Sequence, residues 1–163
     1  MLYFSWNNAH DGPPIRLCLN DASLFCYDIR MNIIDQVKAL NLPSGQYVVF
    51  GSGPLAAHKI RESHDIDLFI TNKLYKKLKT EGWQEKTWSD GGHYLSKADV
   101  EADSSWHYGN YNPSPEEIIN QAEIIDDVPF APLTEVLKWK QAFGRDKDLA
   151  DVKLIQDYLK TSE

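Results

Sequence analysis

The feature that most constrains the fold of this chain is a strand, turn and helix signal in its first third. The apolar, β-rich residues 47–50 lead directly into the small-residue turn Gly51-Ser52-Gly53, and Pro54 suits the first turn of a helix. A second strand is predicted to begin at Asp65 and to continue to residue 70. Residues 47–70 are therefore predicted to form a buried strand, a tight turn, a short helix and a second strand.

Helix and strand signals alternate along the rest of the chain. Helical periodicity or capping signals stand at residues 33–40, 72–82, 114–117, 132–144 and from 146 onward, with Asn72 and Ser114 as candidate caps. Residues 83–88, 93–96 and 98–106 are compatible with strands separated by polar turns. The pattern predicts a fold in which helices and strands are mixed.

The composition limits the class of protein. A chain of 163 residues, 42% apolar and 25% charged, is expected to form one globular domain. A net charge of −7 argues against binding duplex DNA through the overall field, and no apolar run approaches the roughly 18 residues of a membrane span. Cys18 and Cys26 form neither a metal spacing nor a disulfide framework, and no signal-peptide pattern opens the chain. We expect a cytoplasmic protein.

Residues 1–30 differ from the remainder. They contain both cysteines and no lysine or glutamate, lack a sustained period, and end directly before a second methionine, Met31. Two interpretations stay open. Either residues 1–30 form a loosely packed N-terminal extension, or the native chain starts at Met31 and the domain comprises residues 31–163.

The chemistry-bearing residues concentrate around the Gly-Ser turn. Backbone N–H groups of a small-residue turn before a helix can approach anionic oxygens, and the Ser52 hydroxyl adds a donor. Asp65 and Asp67 stand at i and i+2 of a strand, so their carboxylates share a face and suit a hard cation such as Mg²⁺. A solvated strand start and a plain turn are the alternative readings.

Two other phosphate-binding motifs compete with this interpretation. Residues 51–56 satisfy G-x-G-x-x-A, the dinucleotide fingerprint, but the acidic residue of that motif should close the second strand, whereas Asp65 opens it. A P-loop is disfavoured because no Gly-Lys-Ser or Gly-Lys-Thr follows the turn.

The run Val49-Phe50-Gly51-Ser52-Gly53-Pro54-Leu55-Ala56, followed by His64-Asp65-Ile66-Asp67-Leu68, resembles the signature of the DNA polymerase β-type nucleotidyltransferase superfamily. The C-terminal residues 138–151 are similar to the helical end of small bacterial and archaeal members, including proteins related to toxin and antitoxin systems. The resemblance covers residues 31 to about 160 and implies an α/β (α+β) nucleotidyltransferase fold: a small mixed sheet flanked by helices, with a C-terminal helical hairpin.

The resemblance also implies roles for particular residues. The Gly51-Ser52 turn would bind a nucleoside triphosphate such as ATP, and Asp65, Asp67 and a third carboxylate would hold Mg²⁺, with Mn²⁺ as a substitute. Further candidates for triphosphate contacts are Arg61, Lys140 and Arg145. An ion pair with Glu62 or Asp65 is the alternative role for Arg61, and a stem covering apolar surface is the alternative for Lys140. For Lys147 and Asp148 a salt bridge within or between helices is favoured.

Asp99, Glu101 and Asp103 all qualify as the third carboxylate because i, i+2 and i+4 of one strand face the same side. Glu101 is preferred since it is central and lies between Val100 and Ala102. The choice among the three stays open at this stage.

Two functions follow. The first is Mg²⁺-dependent transfer of a nucleoside monophosphate to a hydroxyl acceptor: a protein, an RNA end or a small molecule. The second is a catalytically inactive module of the same fold that binds a partner, as an antitoxin does. The histidines lack a zinc spacing, and the aromatic residues 106–111 could stack on a base or pack in the core, with packing favoured.

Overall fold

The computed structural model describes residues 15–16, 28–29, 32–106 and 108–161. The chain divides into two units, Met1–Asn32 and Ile33–Glu163. In the first unit, strands β1 (Ile15–Arg16) and β2 (Asp28–Ile29) pair antiparallel. The other residues up to 31 lie outside the described part, so the extension proposed for residues 1–30 stays a prediction. No helix among the described residues is long and apolar enough to cross a membrane.

The second unit alternates helices and strands. In chain order its elements are α1 (Ile33–Ala39), β3 (Tyr47–Val49), α2 (Gly53–Ala57), β4 (Ile66–Ile70), α3 (Asn72–Thr80), β5 (Gln84–Thr87), β6 (His93–Lys97), β7 (Val100–Asp103), α4 (Pro115–Asn120), β8 (Glu123–Ile125), β9 (Val128–Phe130), α5 (Leu133–Phe143) and α6 (Asp146–Thr161).

Local chemistry sets several of these boundaries. Ser114 and Glu117 form a reciprocal capping box at the start of α4, as the sequence predicts. The cap of α3 is Thr71 rather than the expected Asn72, because the Thr71 hydroxyl accepts a hydrogen bond from Leu74 N at 3.3 Å. Gly144 ends α5 in the left-handed conformation, at φ 65°, and allows the sharp turn into α6.

Seven strands form one mixed sheet in the order β5-β6-β7-β4-β3-β9-β8. β3 and β4 run antiparallel in the centre, β4 pairs parallel with β7, and β3 pairs parallel with β9. The outer pairs β5-β6, β6-β7 and β8-β9 are antiparallel. The parallel pairing of β4 with β7 brings the Asp-x-Asp strand beside the strand that carries Glu101.

The central strands are buried on both faces. Val49, Leu68 and Ile70 face the side covered by α1 and α3, whereas Val48, Phe50 and Phe69 face the side covered by α4, α5 and α6. α5 and α6 pack against each other as a hairpin. The expected fold class, a mixed sheet flanked by helices with a C-terminal helical hairpin, is confirmed.

Candidate active site

Asp67 and Glu101 are direct register partners on the parallel strands β4 and β7. The chain neighbours of both residues, Ile66 and Leu68 on β4 and Val100 and Ala102 on β7, enter the core on the α1 and α3 side. Because side chains alternate along a strand, Asp67 and Glu101 project together from the opposite face. Asp65, two residues before Asp67, is exposed and immediately precedes β4, which begins at Ile66 rather than at Asp65 as expected.

The turn after β3 lies directly against Asp67. Phe50 N donates a hydrogen bond to Asp67 O at 2.8 Å, and Gly51 follows with φ 61°. A Cβ atom at Gly51 would overlap the carboxylate of Asp67. Glycine is therefore required at position 51 for two reasons. The backbone is left-handed, and the Asp67 carboxylate leaves no room for a side chain.

Ser52 joins this turn to the segment that carries Asp65. Its Oγ lies 2.5 Å from Ser63 Oγ and donates a longer hydrogen bond, 3.4 Å, to Asp65 Oδ1. The Ser52 side chain makes no capping bond to α2, which is only five residues long. The hydroxyl consequently lies beside the carboxylates rather than over the helix end.

Burial and neighbouring carboxylates raise the pKa of two of these side chains, Asp67 and Glu101. Burial, with the charges of Asp65 and Glu101 adding to it, raises the pKa of Asp67 to about 7, although Lys140 and Lys147 oppose the shift. Burial also raises the pKa of Glu101. The site thus gathers more negative charge than its own cations compensate.

The excess of negative charge at the site shows whether its side chains suit a divalent cation. Carboxylate oxygens are the ligands that Mg²⁺ prefers, and a divalent cation would favour the ionised form of Asp67 that burial disfavours. Within residues 32–106 and 108–161, no three His, Cys, Asp or Glu side chains are already drawn close enough together to hold a metal ion. The donor types therefore fit Mg²⁺, while the side chains would have to close around it.

A cleft of about 220 Å³ opens over these carboxylates. Its wall combines acidic, aromatic and basic side chains: Asp65, Asp67, Glu101, Asp103, Trp88, Tyr94, Trp106, Tyr108, Trp139, Phe143, Arg145 and Lys147. Hard oxygen ligands, flat aromatic faces and two cations thus meet in one cavity, a set that suits the metal, base and phosphates of a nucleotide.

The carboxylate of Asp103 is held by hydrogen bonds to neighbouring residues of the protein. Asp103 is buried, and its carboxylate accepts hydrogen bonds from Trp88 Nε1 at 3.1 Å and from Ser105 N at 2.9 Å. Asp103 therefore anchors Trp88, which stacks on Tyr94 with ring centroids 3.9 Å apart. Asp99 is exposed and does not line the cleft. Of the three candidates for the third carboxylate, Glu101 is the register partner of Asp67.

The basic residues expected at the triphosphate separate into two groups. Lys140 is buried and pairs with Asp148 at 3.2 Å and Asp151 at 2.7 Å, and Arg61 forms a bidentate pair with Asp151 at 2.6 and 2.7 Å. Neither lines the cleft. The ion-pair partner of Arg61 is thus Asp151 rather than Glu62 or Asp65, although Arg61 also donates a hydrogen bond to the backbone carbonyl of Glu62 at 2.6 Å. Lys140 is the buried centre of a salt-bridge network rather than a stem over apolar surface.

Arg145 belongs to both the network and the cleft. It pairs with Asp148 at 2.6 and 3.1 Å, and its guanidinium lies 3.7 Å from the Phe143 ring centroid. Burial opposes ionisation of Asp148, but its contacts with Arg145 and Lys140 lower its pKa below the ordinary value. Lys147 lines the cleft and has no ion-pair partner within 4.0 Å in the described part of the chain. The salt bridge expected for Asp148 is present, whereas the one expected for Lys147 is not.

Sequence reasoning did not identify the aromatic residues outside 106–111 that line the cleft. Trp88 and Tyr94 come from the β5-β6 hairpin, and Trp139 and Phe143 come from α5. Trp139 and Phe143 stand at helical spacing in the sequence, but this spacing only weakly indicates a ligand site, since aromatic residues on one helix face normally pack in a core. Trp106 packs in the core, stacked between Phe69 and Trp139, in agreement with the core packing that the sequence favours over base stacking.

None of the histidines that the structure describes lines the cleft. His58 contacts Glu123 at 3.0 Å and Tyr158 at 3.3 Å, and His93 contacts Thr87. His64 is exposed, and His107 lies outside the described residues.

No protein-family model matches the sequence, and no curated protein matches it. Among solved structures, the chain is similar to the crystal structure of ANT(2'')-Ia in complex with adenylyl-2''-tobramycin, with 16% sequence identity and a TM-score of 0.44. The match covers 78% of this chain and 86% of that chain. The roles proposed below rest on the side chains and distances of this chain.

Proposed function

We propose that this chain is a Mg²⁺-dependent nucleotidyltransferase, which moves a nucleoside monophosphate from a nucleoside triphosphate to a hydroxyl acceptor. The observation that carries the proposal is the register pairing of Asp67 with Glu101 against the Gly51 turn. Two carboxylates on adjacent parallel strands, a third at Asp65 and a close glycine backbone form a site for phosphate-bound cations.

Different residues of the cleft are assigned to the metal ion and to the triphosphate. Asp65, Asp67 and Glu101 would hold Mg²⁺ or Mn²⁺, which when bound neutralises the charge that develops on the phosphoryl oxygens. Lys147 and Arg145, at the α5-α6 junction, supply the positive charges of the cleft wall and would contact the triphosphate. Gly51 leaves room beside Asp67, and Ser52 positions the segment that carries Asp65.

The reaction follows from this placement. An acceptor hydroxyl attacks the α-phosphorus and releases its proton to solvent, a new P–O bond forms, and the bond to the leaving pyrophosphate breaks. Positioning by the cleft walls and electrostatic stabilisation supply the rate enhancement. The acceptor is a hydroxyl on a protein, an RNA end or a small molecule.

Label transfer tests the proposal. The protein is incubated with Mg²⁺, cell extract and each nucleoside triphosphate, labelled in parallel reactions at the α- or the γ-phosphate. We expect label from the α-position only, and we expect Asp67→Asn and Glu101→Gln to abolish it. Asp99→Asn is the matched control because Asp99 is an exposed carboxylate outside the cleft, and this variant should retain transfer.

Label arriving from the γ-phosphate would indicate phosphoryl transfer instead. Absence of label from either position, with a partner protein retained on the immobilised chain, would favour the inactive binding module.

A further inference from the structure

The position of Asp65 is not set by strand pairing. Asp65 is exposed and lies one residue before β4, whereas Asp67 is paired in register with Glu101 inside the sheet. Side chains that bind a metal ion are normally oriented by hydrogen bonds from neighbouring residues. The segment formed by residues 61–65, which lies between α2 and β4, therefore needs contacts that fix it beside the Gly-Ser turn.

Ser63 makes such contacts in two directions. Its hydroxyl donates a hydrogen bond to the backbone carbonyl of Asp65 at 2.9 Å, and its oxygen lies 2.5 Å from Ser52 Oγ. Ser52 Oγ in turn lies 3.4 Å from Asp65 Oδ1. The hydroxyl of Ser63 thus joins the segment that carries a proposed metal ligand to the serine of the phosphate-binding turn.

The contact between the two serines can persist when a nucleotide binds. A hydroxyl group carries one hydrogen and two acceptor lone pairs, and it rotates to suit its partners. When Ser52 turns its hydrogen toward a phosphate oxygen, Ser63 can donate to Ser52. The hydrogen bonds then run in one direction, from Ser63 to Ser52 to phosphate, and hydrogen bonds in such a chain strengthen one another.

Arg61 holds the other end of the same segment. Its guanidinium forms a bidentate pair with Asp151 of α6 at 2.6 and 2.7 Å and donates a hydrogen bond to the backbone carbonyl of Glu62 at 2.6 Å. The beginning of the segment is thus fixed to α6. The contacts of Ser63 then determine where the end that carries the metal ligand lies.

We propose that Ser63 is a positioning residue of the nucleotidyl-transfer site: it holds the Ser52 hydroxyl against the triphosphate and the Asp65 carboxylate against the metal ion. Ser63 itself does not line the cleft, so it acts through these two residues. This inference rests on the proposed function, because it assigns Ser63 to the same metal and phosphate site.

Calorimetric titration of the full chain with an α,β-methylene nucleoside triphosphate and Mg²⁺ tests the assignment. We expect Ser63→Ala to weaken binding about fivefold, the effect of one lost hydrogen bond, while its melting temperature stays within about 3 °C of the wild type. Ser63→Thr should restore binding to within about twofold, because threonine keeps the hydroxyl. Ser104→Ala is the matched control, since Ser104 is also half-buried but lies outside the cleft, and it should bind as the wild type does.

A double-mutant cycle shows whether Ser63 acts through Ser52. The two substitutions Ser52→Ala and Ser63→Ala together should weaken binding by less than the product of their separate factors. Separate effects that multiply, unchanged affinity in Ser63→Ala, or no recovery in Ser63→Thr overturns the positioning role. A Ser63→Ala chain that fails to fold overturns it as well, because the role is then structural. Absence of binding by the wild type overturns the proposed function itself.

Discussion

Asp67→Asn should stabilise the metal-free protein at alkaline pH, although it removes a residue proposed to be essential for function. The ordinary carboxyl pKa of 3.8 is raised to about 7 in the fold by burial and by the charges of Asp65 and Glu101. Asparagine keeps the volume and carries no charge. The substitution therefore removes the cost of ionising the buried group.

The magnitude and its pH dependence follow from proton linkage. Between pH 3.8 and about 7 the folded state binds more protons at Asp67 than the unfolded state does, so the free energy of unfolding falls as the pH rises through this window. At about 1.4 kcal/mol per pH unit, the cost reaches about 4 kcal/mol above pH 7. For a chain of this length that corresponds to about 10 °C in melting temperature.

Thermal and urea unfolding in EDTA, at pH 4 and pH 8, measures the effect. We expect Asp67→Asn to raise the free energy of unfolding by about 4 kcal/mol at pH 8 and by less than about 1 kcal/mol at pH 4. Asp99→Asn, at an exposed carboxylate, should change little at either pH. A loss of stability in Asp67→Asn at pH 8, or an equal gain at both pH values, would refute the reasoning.

Four further outcomes are expected. Glu101→Gln should abolish transfer while shifting the melting temperature by no more than a few degrees. Retained transfer in this variant would show that another residue is the third metal-binding carboxylate. Asp148→Ala should cost about 3–5 kcal/mol in urea unfolding because it leaves the Lys140 ammonium buried without one of its partners, and wild-type stability would show that the network contributes nothing. Gly51→Ala should cost at least about 2 kcal/mol and abolish nucleotide binding in calorimetry, since φ is 61° and the added Cβ overlaps a carboxylate; normal binding would exclude the close-approach role. A chain starting at Met31 should keep its melting temperature and activity, and aggregation of that chain would show that residues 1–30 are structural.

The sequence predicts the centre of the fold because local signals and burial agree there. Residues 47–50 are apolar throughout and residues 66–70 are apolar except for Asp67, and the two strands are central, with their apolar side chains buried on both faces. The hairpin of β8 and β9 was not predicted, because each strand has only three residues and the turn between them uses Asp126 and Asp127 at positive φ. Runs that short carry no measurable period.

The site was predictable where it depends on spacing within one strand and not where it depends on tertiary contacts. Period 2 predicts a shared face for Asp65 and Asp67, and both line the cleft, but the pairing of Asp67 with Glu101 needs the register of two strands that lie far apart in the sequence. For the same reason the sequence could not separate Lys140, which is buried between two aspartates, from Lys147, which lines the cleft. Burial of a charge depends on partners brought from other elements.

Binding of Mn²⁺ together with an α,β-methylene nucleoside triphosphate tests the central claim most directly, because electron paramagnetic resonance counts the bound metal without requiring the acceptor. We expect Mn²⁺ and the nucleotide to strengthen each other's binding to the wild type, and we expect both to be lost in Asp67→Asn. Equal binding of Mn²⁺ and nucleotide to wild type and Asp67→Asn, or nucleotide binding that is indifferent to the metal, would contradict a nucleotidyltransferase site at Asp65, Asp67 and Glu101.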